Sequence, residues 1–134
     1  MAKIIDVEGV GVKYAKKLKE AGIASTKALL EKGATPKGRK EIAVKSGISD
    51  SLILEWVNHV DLYRIRGVAS EYSDLLEEAG VDTVRELAQR NAENLFQKIT
   101  TVNQQKKLVR RLPTLKQVRA WIEQAKRLPG VITY

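Results

Sequence analysis

The sequence predicts an all-α protein made of two related units of short helices. Three observations carry this. Apolar residues return at three- and four-residue spacing, the period of a helix face. Ser, Thr and Pro stand before those runs and Gly after them, as helix caps do. A stretch near the start, VEGVGVKYAKKLKEAGIASTKALL, returns without gaps as IRGVASEYSDLLEEAGVDTVRELA. No segment alternates apolar and polar residues as a half-buried strand would.

The repeat sets the architecture before any single element does. Gly9 matches Gly67, Tyr14 matches Tyr72 and Leu18 matches Leu76. Glu20-Ala21-Gly22 matches Glu78-Ala79-Gly80, and Leu29 matches Leu87. A weaker echo aligns SDSLILEWVNHV, from Ser49, with TLKQVRAWIEQA, from Thr114, so Trp56 falls on Trp121. Two units are predicted, 1–60 and 61–134, with roughly four helices each and short loops.

Within the first unit, Tyr14, Ala15, Leu18 and Ala21 line one face of a first helix. Gly22 sits where a left-handed C-terminal cap belongs. Ser25 caps a short second helix bearing Ala28, Leu29 and Leu30. Thr35 and Pro36 open a third, which stops at Gly47. Ser49 caps a fourth, with Leu52, Ile53, Trp56, Val57 and Val60 in one stripe. In the second unit, Lys106, Lys107, Arg110 and Arg111 fall at i, i+1, i+4 and i+5, which predicts one basic helix face. Lys116 and Arg119 continue it across the turn. Pro113 and Pro129 bound a last helix, capped by Thr114 and carrying Leu115, Val118, Trp121, Ile122 and Ala125.

Composition narrows the function. With 43% hydrophobic residues in 134, a core forms without staples, and with no cysteine there is neither a disulfide nor thiol chemistry. A cytoplasmic location is the expectation. No apolar run approaches a membrane span, and the opening MAKIIDVEG, with acids early, does not read as a secretory leader. The lone histidine, His59, reads as a partly exposed helix residue, which argues against a zinc site or a histidine triad. Glu71, Asp74, Glu77 and Glu78, near Arg85, read as a solubilising face or a contact for a basic partner. Tyr14, Tyr72, Trp56 and Trp121 occupy equivalent places on apolar stripes and read as core. No nucleophile–base set stands out, so the expectation is a non-enzyme that needs no cofactor.

The formal net charge is +8, which favours a polyanionic partner. Its distribution is uneven. Residues 1–30 hold six bases and three acids, residues 61–90 four and seven, and residues 91–134 nine and two.

The stretch VEGVGVKYAKKL carries a more specific pattern. Two glycines flank one valine and a lysine-rich helix follows. Glycines admit positive φ and leave no side chain between backbone and ligand. The helix start behind them offers free N–H groups to an anion. At Val7, Gly9, Val10, Gly11, Lys13, Ala15, Lys16 and Leu18 the stretch resembles the hairpin of helix-hairpin-helix proteins. KEIAVKSGISDSLILEW, with Gly47 and Ser49 at the turn, looks like the second hairpin of the paired domains in RecA-like recombinases. The whole chain also looks like a family of small bacterial proteins classed as a domain of unknown function of this fold. The resemblance implies tandem helix-hairpin-helix (SAM-like) units. It also implies DNA phosphates gripped by backbone amides, and a place for a monovalent cation at the first hairpin. The second unit departs from the pattern: Gly11 becomes Ala69, Lys13 becomes Glu71, Lys16 becomes Asp74 and Lys17 becomes Leu75. Its turns read as architectural, and Ala69 costs about 1 kcal/mol if a left-handed residue is needed there.

The leading expectation is a module that binds DNA, or RNA, without sequence preference. Gly9, Val10, Gly11, Lys13, Lys16 and Lys17 would carry it at one end of the chain. Lys106, Lys107, Arg110, Arg111, Lys116 and Arg119 would carry it at the other. The alternative is a protein-interaction module of the same fold.

Overall fold

The computed structural model describes residues 3–134. Among them are a 3-10 turn at Ile4–Asp6 and eight α-helices, and no strand. The helices are α1 (Gly11–Glu20), α2 (Thr26–Lys32), α3 (Pro36–Ser46), α4 (Asp50–Leu62), α5 (Ser70–Glu78), α6 (Val84–Ala88), α7 (Ala92–Lys106) and α8 (Leu115–Arg127). No helix among the described residues is long and apolar enough to cross a membrane.

The chain divides into two compact units. One runs to Asp61 and takes in Val131–Tyr134; the other is Leu62–Gly130. The last four residues therefore belong with the first unit, whereas the sequence placed them with the second. Thr133 N–H donates to Ala34 C=O at 2.8 Å, and Arg39 Nη2 donates to Thr133 C=O at 2.8 Å. Arg39 is buried, and its Nη1 donates to Gly33 C=O at 2.9 Å. A buried guanidinium needs acceptors, and the tail supplies one of them.

Capping residues place the helices. Ser25, Thr35, Thr83, Asn91 and Thr114 each accept a backbone N–H from the first turn of the helix they precede. Thr114 does so within a complete capping box with Gln117. The helices α1 and α5 end alike. Ile23 N–H reaches back to Leu18 C=O at 2.8 Å, and Val81 N–H to Leu76 C=O at 2.8 Å. Gly22 and Gly80 take φ of +89° and +92° between them. These are Schellman caps, which turn the chain sharply and bury the next apolar residue; Ile23 and Val81 are both buried.

Each unit closes on its own apolar interior. In the first, Val7, Val10, Leu18, Ile23, Leu29, Ile53, Trp56 and Val57 are buried. In the second, α8 packs on α6 and α7, and α5 on α7, around Leu75, Leu76, Leu87, Leu95, Ile99 and Trp121. The two tryptophans play matched parts. Tyr14 meets Trp56 with ring centroids 5.1 Å apart at 56°, and Tyr72 meets Trp121 at 5.3 Å and 51°. Tilted pairs of this kind are a favourable aromatic arrangement. His59 departs from expectation: at 1% exposure it is a core residue of α4.

Candidate nucleic-acid interface

The first glycine turn is held by its apolar residues. Val10 N–H donates to Val7 C=O at 3.0 Å, and both side chains are buried. That anchorage leaves Gly9 and Gly11 exposed on either side of Val10. The two glycines serve different ends. Gly9 has φ +86°, a backbone that strains an L side chain, and a Cβ there would lie 3.4 Å from Trp56 Nε1, in ordinary contact with the core. Gly11 has φ +65°, and a Cβ there would meet nothing within 4 Å. It is the first residue of α1, behind an N-cap, Val10, that makes no side-chain hydrogen bond.

The first turn of α1 holds no acid. Lys13, Lys16 and Lys17 are exposed, and none forms an ion pair among the described residues. Lys17 Nζ lies 5.9 Å from the centre of the Tyr14 ring, which steadies it over the helix.

The second unit has a similar turn with different chemistry. Val68 N–H donates to Ile65 C=O at 3.1 Å, Gly67 has φ +96°, and a Cβ on it would lie 3.2 Å from Trp121 Nε1. Ala69 does not adopt the left-handed conformation of Gly11. It is extended, at φ −120° and ψ −166°, and α5 starts one residue later, at Ser70. The anticipated strain is thereby avoided. Glu71 stands in the first turn of α5, where it complements the helix dipole and repels phosphate. Asp74, Glu77 and Glu78 bring carboxylate oxygens within 4.8 Å of one another.

The basic residues near the C-terminus do not form one helix face. α7 ends at Lys106, and Lys107 takes a left-handed conformation at φ 51°. The cause is Asn103. Its Oδ1 accepts from Val109 N–H at 3.0 Å, and its Nδ2 donates to Val109 C=O at 3.2 Å. This clamp folds the chain back, so Arg110 and Arg111 sit in the connection before α8. Tyr72 OH donates to Arg111 C=O at 3.0 Å and fixes that connection to α5.

Nor is this set free of acids. Lys106 bonds Glu78 at 2.5 Å. Arg119 bonds Glu93, and that bond holds the Glu93 carboxyl below its usual range. Lys107, Arg110, Arg111 and Lys116 are exposed, with no acidic partner among the described residues.

A groove of about 990 Å³ runs between α3 and α4, lined by Lys37, Lys40, Val44, Lys45 and Leu54 among others. Val44 is 84% exposed.

No curated protein and no solved structure matches the chain. A family match extends over residues 8–128, nearly the whole of both units. On that match the chain belongs to the family described as Domain of unknown function (DUF4332).

Proposed function

We propose that the chain is a non-enzymatic module of tandem helix-hairpin-helix build that binds nucleic acid, DNA in the first place, without reading its sequence. The observation that carries this is Gly11. Gly9 and Gly67 each stand against an indole, whereas a Cβ at Gly11 would meet nothing within 4 Å. The second unit dispenses with this glycine by placing Ala69 in an extended conformation. What Gly11 provides is clear space in front of an uncapped helix start. A phosphate oxygen there would meet backbone N–H groups and the positive end of the α1 dipole. Lys13, Lys16 and Lys17 add full charges on the same helix. Lys107, Arg110, Arg111 and Lys116 supply further unneutralised bases in the second unit. Lys106 and Arg119 contribute after exchanging an exposed carboxylate for phosphate, which costs little at a surface.

The test is the salt dependence of binding to a short duplex. If about six phosphates are neutralised, the slope of log K against log salt is about −5. Replacing Lys13, Lys16 and Lys17 with glutamine should reduce that slope by about 3 and weaken binding alike on unrelated sequences. A flat salt response would remove the nucleic-acid reading.

A second reading, a protein-interaction module, is favoured by the groove between α3 and α4. It exposes Val44 among Lys37, Lys40, Glu41, Lys45 and Asp50. Change of mass with concentration, without any effect of DNA, would support it over the first.

A further inference from the structure

The second unit holds a basic pocket of its own. It has a volume of about 310 Å³ and is lined by Tyr63, Arg64, Arg66, Gln124, Arg127 and Leu128. Three of the six are arginines and none is an acid. Arg66 and Arg127 are exposed, with no ion pair among the described residues. Arg64 Nη2 donates to Pro129 C=O at 2.6 Å, which ties its guanidinium beside the end of α8. Gln124 locks the arrangement. Its Oε1 accepts from Arg66 N–H at 2.8 Å and its Nε2 donates to Arg66 C=O at 3.3 Å. Gln124 and Arg127 are three residues apart on α8 and share a face. The clamp on the Arg66 backbone therefore sets Arg66 beside Arg127.

The places in the first unit that align with Arg64 and Arg66 are opposite in charge. In the alignment that pairs Gly9 with Gly67, Arg64 falls on Asp6 and Arg66 on Glu8. Beyond the glycine turn the inversion runs the other way, Lys13 to Glu71 and Lys16 to Asp74. The first unit is acidic before its turn and basic after it; the second is basic before and acidic after. A merely solubilising surface gives no reason for both sides to invert together.

We propose that Arg64, Arg66 and Arg127 form a pocket for a phosphate monoester, held in place by the Gln124 clamp. Guanidinium groups match phosphate oxygens through paired N–H donors. Several of them converging on one pocket suit a compact doubly charged group better than a single diester of a continuous backbone. The carbonyl end of the α8 dipole opposes an anion here, but it amounts to about half a charge against the full charges of Arg66 and Arg127. The nearest acid on α8, Glu123, is 3.5 Å from Lys126 and partly neutralised. This site stands on residues separate from the first glycine turn and does not depend on it.

The test follows arginine Nε–H and Gln124 side-chain NMR signals in the full chain during titration with inorganic phosphate. Saturable shifts at Arg66, Arg127 and Gln124 are expected. Arg66→Gln and Arg127→Gln, both exposed positions, should each weaken binding about tenfold or more while leaving thermal unfolding unchanged. Lys13→Gln, Lys16→Gln and Lys17→Gln together should leave the titration as it was, which separates this site from the first turn. Oligothymidylates with and without a 5′-phosphate identify the source. Competition by the phosphorylated one alone means a nucleic-acid end; competition by neither, with phosphate still bound, means a small phosphate compound. Shifts that stay linear in phosphate, that sodium chloride reproduces, or that survive both arginine replacements would overturn the proposal.

Discussion

Trp56 Nε1 faces the bare Cα of Gly9, and Trp121 Nε1 faces Gly67 in the same way. Cβ atoms built on those glycines would lie 3.4 Å and 3.2 Å from the indole nitrogens. The same placement recurs even where the charges around it have inverted. Both glycines also have φ near +90°, where an L side chain is strained. Gly9→Ala and Gly67→Ala should each destabilise the fold by about 1–3 kcal/mol in urea denaturation. Gly67→Ala should be the worse of the two, because its contact is closer. Equal stability of both variants with the native chain would show that the indoles do not fix these turns.

Gly11→Ala separates the two glycines of the first turn. Space is open around Gly11, so the cost is the left-handed backbone alone, about 1 kcal/mol. Ala69 shows the way out, since an extended residue there moves the helix start by one position. Gly11→Ala should therefore keep the fold and lose DNA affinity, about tenfold if one charge-assisted amide contact is broken. Circular dichroism and fluorescence anisotropy read the two effects independently.

The tail residues bound by Arg39 give a stability prediction of another kind. Removing Val131–Tyr134 takes the Thr133 carbonyl from a guanidinium that is 6% exposed. A hydrogen bond to a charged group contributes about 1.5–3 kcal/mol, and the loss should be of that order in chemical denaturation. Arg39→Met combined with the truncation should cost less than the sum of the two separate changes, because they break the same bond.

Much of this organisation is legible in the chain itself, because its causes are local. Ser25, Thr35 and Thr114 lie within three residues of the amides they cap, and Gly22 and Gly47 follow the helices they end. What escapes a sequence reading depends on longer reach. The basic run from Lys106 to Arg111 has helical spacing, yet Asn103 grips Val109 and ends the helix first. The acids that neutralise Lys106 and Arg119 come from α5 and α7, far away in the chain. The pocket at Arg66 draws on α8 for Gln124 and Arg127, which no local pattern joins to it. Burial of His59 is missed because a polar residue on an apolar stripe is usually read as its margin.

Glu93 supplies a pH prediction with a definite sign. Its hydrogen bond to Arg119 favours the ionised form, so its folded pKa lies below the ordinary glutamate range. Its stabilising contribution is therefore present above the unfolded pKa and lost as pH falls through the folded one. An NMR titration of the Glu93 carboxylate should show a midpoint below the ordinary range. In Arg119→Gln the midpoint should rise toward that range. A midpoint indifferent to the substitution would mean that the ion pair does not persist in solution.

Lys107 offers the sharpest separation of stability from binding. It is the one non-glycine with positive φ among the described residues, at 51°. Glycine is the usual occupant of such a helix end. A lysine there carries about 1–2 kcal/mol of backbone strain, and Lys107→Gly should recover about 1 kcal/mol of stability. If the lysine is kept for its charge, the same change should weaken DNA binding and reduce the salt slope by about 1. Unfolding and binding would then move in opposite directions on one substitution. Strain held at a working position predicts that pattern, whereas a solvated charge with no ligand predicts a gain in stability and unchanged affinity.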